Sequence, residues 1–161
     1  MSGLEPRDFV WVIAGRLAIS QRIGGHGIQH RRIRREEEIL WLKNEAGVNT
    51  IVSLLEGNQN VSAYEDAAIT VVNEPLLQDY DLNGDVERVL QRLHQALSNP
   101  HATVLLHRDT VDDTLAGILA AYLIYSRMLD DPIKASVVIQ EILGRPLGPR
   151  ARAMVSAAQA G

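Results

Sequence analysis

The 161-residue chain has no cysteine, and only 4 % of its residues are aromatic, with a single Phe. Without thiols it forms no disulfide and no thiolate metal site, a usage that fits a cytoplasmic protein. With so few aromatics the core has to be built from Leu, Ile, Val and Ala. A strong excess of one charge is also missing: 16 Lys and Arg stand against 20 Asp and Glu, for a net charge of −4 and a pI near 5.7. That balance argues against nucleic acid as the partner of the whole surface. The longest apolar run, Leu115 to Ile124, falls short of the roughly 20 residues a bilayer span needs, and it ends at Tyr125, Ser126 and Arg127. It reads as a buried helix, with no membrane segment expected. The opening MSGLEPRDFVWVIAG lacks a basic stretch followed by an apolar one, so no secretory signal is expected. No repeat, low-complexity tract or linker interrupts the chain, and the length suits one domain over residues 1–161.

What is present is an alternation of strand-like and helix-like segments. Phe9 to Ile13 and Leu17 to Ser20 are β-rich, and Ile23 to Gly27 is a glycine-rich loop. Ile33 to Ala46 reads as a helix with Ile39, Leu42 and Ala46 on one face, Ile33 and Leu40 beside it, and Gly47 as its stop. Val48 to Leu55 is a buried strand by its β-branched content, Asn60 to Ala67 a short helix, and Ala68 to Val72 another strand. After a loop from Pro75 to Gly84, Val86, Val89, Leu90, Leu93 and Leu97 mark a helix that Asn99-Pro100 stops. Ala102 to Leu106 is the central strand. Helices follow over Thr114 to Leu129, from Asp131-Pro132 to Leu143, and after Pro149, with Asp112 or Asp113 capping the first of them. The alternation predicts an α/β fold with a mostly parallel central sheet between layers of helices.

The segment TVLLHRDTVDDTLAGILAAYLIY, Thr103 to Tyr125, joins a strand to a helix through a polar loop, the place where α/β proteins hold anion-binding and catalytic groups. From His107 it resembles the phosphate-binding loop of the protein tyrosine phosphatase superfamily, H-C-x-x-G-x-x-R-[ST], and is most similar to that of the small dual-specificity-like members. WVIAGRLA at Trp11 to Ala18 and EEILWLKNEAGVNTIVSL at Glu37 to Leu54 resemble other parts of bacterial members. Pro75 to Asp81 stands where the family carries its general-acid loop, and the last two helices match its C-terminal pair. The resemblance implies a dual-specificity phosphatase-like fold. It also implies lost chemistry: Arg108 stands where the nucleophilic Cys belongs, Val111 where the Gly belongs, Thr114 where the phosphate-gripping Arg belongs, and Leu115 in place of the following Ser or Thr.

A guanidinium stays protonated and has no lone pair with which to attack phosphorus. Thr114 is short and uncharged, so it cannot supply a bidentate fork. Val111 is β-branched and tolerates a positive φ poorly. Asp109, Thr110, Asp112 and Asp113 form the rest of the pocket loop. Two of its carboxylates about 4 Å apart, or one of them and a bound anion, would repel by roughly 4 kcal/mol at an effective dielectric near 20. A loop Asp that folds inward onto the helix N–H groups would replace the phosphate. Asp79, with Asp81 second, is a vestigial general-acid candidate, and His107 is expected to order the loop.

Other constellations carry less. The run RDTVDD differs from an aspartate-nucleophile loop of the haloacid-dehalogenase type because residue 111 is Val. Asp109, Asp112 and Asp113 together offer oxygen ligands for Mg²⁺ or Ca²⁺, with helix capping as the plainer reading. His26 and His30 lack further ligands for zinc. Arg31, Arg32, Arg34 and Arg35 form an interaction-patch candidate, although Arg32–Glu36 and Arg34–Glu38 are spaced to pair along one solvated helix face. Tyr122 and Tyr125 belong to an apolar stripe that reads as core. The chain is expected to be a noncatalytic, phosphatase-like regulatory or interaction domain. It needs no metal and no cofactor, and it acts on a protein partner rather than on nucleic acid or membrane, with the oligomeric state open. The alternative is a remodelled pocket that binds a small ligand or metal, with or without a new activity.

Overall fold

The computed structural model describes residues 3–25, 32–57 and 60–161. They fall into two compact units, one within Met1–Pro75 and Gln95–Val111, the other within Leu76–His94 and Asp112–Gly161.

The first unit is built on a five-stranded sheet in the order β1-β2-β5-β3-β4. β1 (Val10–Ile13) runs antiparallel to β2 (Leu17–Gln21), and β2, β5 (Val104–Arg108), β3 (Thr50–Ser53) and β4 (Thr70–Asn73) are mutually parallel. The mostly parallel α/β reading therefore holds. β5 lies between β2 and β3, and every residue in it is buried. Its first three residues, Val104 to Leu106, are apolar as expected of a central parallel strand, whereas His107 and Arg108 are polar residues buried at its carboxyl end. Ala18, Ile51 and Leu105 pack with Ile39, Leu42, Tyr64 and Ile69 in one core cluster. The first helices, α1 (Arg32–Trp41) and α2 (Val61–Asp66), supply the helical side of that cluster. The scarce aromatics are concentrated here, with Phe9 meeting Trp11 and Trp41 edge-on at 5.4 and 4.9 Å.

Several boundaries differ from the sequence reading. Ile33 and Leu40 are exposed, at 75 % and 40 %, so they do not join the buried face of α1. Residues Leu42–Ala46 continue α1 as a π-helical turn, because Gly47 in the left-handed region (φ 73°) donates its N–H back to Leu42 O and Val48 N–H reaches the same oxygen. β3 starts at Thr50 instead of Val48, and β5 runs two residues past Leu106 to Arg108. The helix α3 (Asp85–Ser98) ends under the Arg16 guanidinium, which donates to Leu97 O and to Asn99 O and so satisfies carbonyls that a helix end leaves open.

The second unit centres on α4 (Asp113–Tyr125), buried from Thr114 to Ile124. It packs against α5 (Pro132–Leu143) and α6 (Pro149–Ala157). α4 stops at Tyr125 instead of Leu129 because Arg127 turns to φ 66° and Leu129 N–H closes onto Leu123 O. α5 has the expected start and stop: Asp131 accepts from Ile133 N–H, Pro132 follows, and Gly144 takes φ 71°.

Gly117 lets α4 and α6 approach closely. A Cβ there would lie 2.7 Å from the Ala151 Cα and 2.7 Å from the Met154 sulfur. Backbone cannot yield as a side-chain tip can, so Gly117→Ala is expected to destabilise the protein by about 2 kcal/mol despite the better helix propensity of Ala. Urea denaturation measures this, and an unchanged or raised midpoint would contradict the close approach.

Candidate functional site

β5 carries the start of the signature-like segment. His107, fully buried, faces Ser20 of β2 and Ser53 of β3 in register. Its Nε2 lies 2.9 Å from Ser53 Oγ, while its Nδ1 is buried with no hydrogen-bond partner among the described residues. Burial, helped by the charge of Arg22, lowers the imidazole pKa to about 4, so His107 is neutral at pH 7. Arg108 is the last residue of the strand and is 9 % exposed. The second residue of the signature-like segment is thus a strand residue that carries a cation. Asp109 is exposed and reaches the Arg22 guanidinium at 3.4 Å. Thr110 is exposed and Val111 half-buried. Neither takes a positive φ, which among the described non-glycine residues occurs only at Asp8, Ala68 and Arg127.

In the second unit the two remaining loop carboxylates meet backbone donors. Asp112 is the N-cap of α4, its Oδ1 accepting Leu115 N–H at 2.9 Å. Asp113 accepts Gly148 N–H at 2.6 Å and Ala151 N–H at 3.0 Å, which caps α6 from the side. Thr114 is buried, with its Oγ1 3.2 Å from the Tyr80 hydroxyl. Arg150 stacks over the Tyr80 ring at 5.1 Å and donates to Gln78 O, so the general-acid-like loop is tied to α4 and α6. Asp79 is exposed. Asp81 is also exposed and turns its carboxylate to Asn83 N–H. Among the described residues no three His, Asp or Glu side chains gather as a metal ion would require.

The basic run on α1 is less solvated than its sequence suggests. Arg32 pairs with Glu36 in the open at 2.9 Å. Arg34 turns inward to Glu38 at 2.9 Å, and the Glu38 side chain is only 1 % exposed and also accepts Gly24 N–H at 2.7 Å. Arg35 is half-buried and reaches Asn60 Oδ1 at 3.4 Å. Only Arg32 of the described members is exposed, which corrects the picture of a solvated face. Arg31, His26 and His30 lie outside the described residues.

Arg22, Ser53, Asn60 and Tyr80 were not singled out by the sequence. Arg22 directly follows β2, and Ser53 ends β3. Their position at the carboxyl ends of parallel strands was the available signal. Tyr80 sat unmarked between two acidic residues.

Two predictions follow from these pairings. Removing Glu38 leaves Arg34 and the Gly24 N–H without their buried acceptor, so Glu38→Ala should cost about 3 kcal/mol, whereas Glu36→Ala should cost under about 0.5 kcal/mol. Equal losses in denaturant titrations would show that burial does not separate the pairs. For His107 the unfolded chain takes up a proton near pH 6.5, but the native state only near 4. The unfolded state therefore binds the proton first as pH falls. His107's contribution is fully present above pH 6.5 and is lost between 6.5 and 4, a fall of about 3 kcal/mol. His107→Gln should flatten that part of the stability–pH curve, and an unaltered slope would assign it to other groups.

No protein-family model and no curated protein matches the sequence. Solved structures do match. A kinase associated phosphatase with its catalytic-site cysteine changed to serine aligns with a TM-score of 0.70 at 15 % identity, over 93 % of this chain and 92 % of that one. Human DUSP28 aligns at 0.62 and 18 % identity, over 94 % and 93 %. TpbA of P. aeruginosa, solved with pTyr, aligns at 0.65 and 20 % identity, over 89 % and 80 %. At these identities the shared property is the architecture, and the chain adopts the dual-specificity-like fold of the protein tyrosine phosphatase superfamily.

Proposed function

We propose that this chain is a pseudophosphatase, a phosphatase-like domain that has given up catalysis and acts as a regulatory or protein-interaction module. The observation that carries the reading is Arg108. It stands at the end of β5, in a chain without cysteine, and follows His107 as the nucleophilic Cys follows His in the loop that this segment resembles. A guanidinium cannot form a phosphoryl intermediate. The supporting features lie at the start of α4. Thr114 offers no cationic fork and lies within hydrogen-bond distance of Tyr80. The Asp112 carboxylate already accepts a backbone N–H of the kind that an oxyanion would use. Asp79 then has no nucleophile to serve.

The test is an assay of the pure protein on a generic aryl phosphate, at protein concentrations high enough to detect turnover a million-fold below that of an ordinary enzyme. The expected rate equals that of buffer. Turnover that co-purifies with the protein and falls in Asp79→Asn would overturn the reading. For the interaction role, a partner identified in cells should bind the purified protein saturably, with the same affinity for Asp79→Asn.

A further inference from the structure

A small cleft opens within the first unit at the ends of β3 and β5. Arg22, Ser53, Asn60, Tyr64 and His107 form most of its polar lining, and its volume is about 10 Å³. That is the room for a single water-sized atom. Parallel sheets take ligands at the carboxyl ends of their strands, where the strand order reverses. Here β4 lies on one side of β3 and β5 on the other, so the reversal falls between β3 and β5, where Ser53 and His107 are paired.

The cleft is rich in donors. Among the described residues, Arg22 Nε is buried with no hydrogen-bond partner, as is Nδ1 of the fully buried His107. Ser53 Oγ accepts Leu55 N–H at 3.4 Å and lies 2.9 Å from His107 Nε2; in the tautomer in which Ser53 donates to Nε2, the imidazole proton sits on Nδ1 and adds a donor to the cleft. Asn60 donates to Ile23 O and to the Tyr64 hydroxyl oxygen, while its carbonyl oxygen is 3.4 Å from Arg35 Nη1. The Tyr64 O–H is thereby left to donate as well. Burial raises the Tyr64 pKa above the ordinary phenol range, so that proton stays in place. Two carboxylates beside these residues are already engaged: Glu38 holds Arg34 and Gly24 N–H, and the exposed Asp109 meets Arg22 at 3.4 Å. A water here would need acceptors for its own two protons, whereas an anion needs only donors.

We propose that this cleft binds one negatively charged atom, held by Arg22, Tyr64 and His107: a halide ion, or one oxygen of a carboxylate or phosphate group. The site shares His107 with the signature-like segment but uses neither Arg108, Thr114 nor Asp79, so a phosphatase assay tests the proposed function and an anion titration tests this site, and the two can fail independently.

The test is thermal denaturation titrated with sodium bromide, formate or phosphate, with ionic strength balanced by a bulky organic sulfonate. At least one of the three should give a saturable rise in Tm, and a ring N–H resonance of His107 should shift with the same midpoint. Bromide alone assigns the site to halides, formate to carboxylates, and phosphate to phosphate groups. Arg22→Gln should weaken binding at least tenfold. Should that variant fail to fold, Tyr64→Phe, which keeps the ring, should weaken it about fivefold, while Arg32→Gln on the exposed face leaves it unchanged. The proposal is overturned if none of the three anions acts saturably on the wild type, or if Arg22→Gln and Tyr64→Phe bind as the wild type does.

Discussion

Two neighbouring carboxylates, Asp112 and Asp113, hold the starts of two helices, and the second unit depends on them. α4 is buried along almost its whole length, so its first-turn N–H groups cannot all be left to bulk water. Asp112 supplies an acceptor from within the loop. Asp113 reaches across to the start of α6, where the N-cap position is Gly148 and has no side chain of its own to offer. A Cβ at Gly148 would lie 2.8 Å from the Asp113 carboxylate, so the glycine is the residue that admits it. The same helix pair requires Gly117 where it crosses Ala151. The N-terminus of a helix attracts any anion by its aligned dipoles and open donors. Here the chain's own carboxylates take such donors at the starts of α4 and α6, which stabilises the two helices.

The first unit follows the opposite charge logic. Arg22, Arg34 and Arg35 turn partly or largely inward, and the buried carboxylate of Glu38 answers Arg34 directly. Burying cations costs free energy unless hydrogen bonds and counter-charges offset it. Part of that offset is visible in the Asn60 and Asp109 contacts, and among the described residues none is visible at Arg22 Nε or Arg35 Nε. The neutral state of His107 has the same origin, because a proton on the ring would add a further charge in an already cationic, desolvated place.

Much of the architecture was legible from local pattern. The β-branched runs gave the strands to within two or three residues, and Gly47, Gly144, Asp131-Pro132 and Asn99-Pro100 marked helix ends by their own backbone preferences. Asp112 was readable as a cap because its partner, Leu115, is three residues away. Tertiary contacts were not legible in this way. Asp113 finds its donors 35 and 38 residues further on, and Asp109 finds Arg22 87 residues back. A sum of like charges over the loop therefore overstated the repulsion, since each of the three carboxylates has a partner. Arg34 was expected in solvent because i,i+4 spacing fixes a pair but not which side of the helix is covered.

The sequence by itself determined the kind of element at each stretch, the absence of a thiolate, and the cation at residue 108. These depend on what each residue type can do within a few neighbours, whatever the rest of the chain does. Only the tertiary structure decided which carboxylates became caps, that β5 carries His107 and Arg108 into the middle of the sheet, and that Arg22, Tyr64 and His107 meet around a space of one atom. Those outcomes follow from strand order and helix packing, which bring distant residues within hydrogen-bond range and set how much water each one keeps.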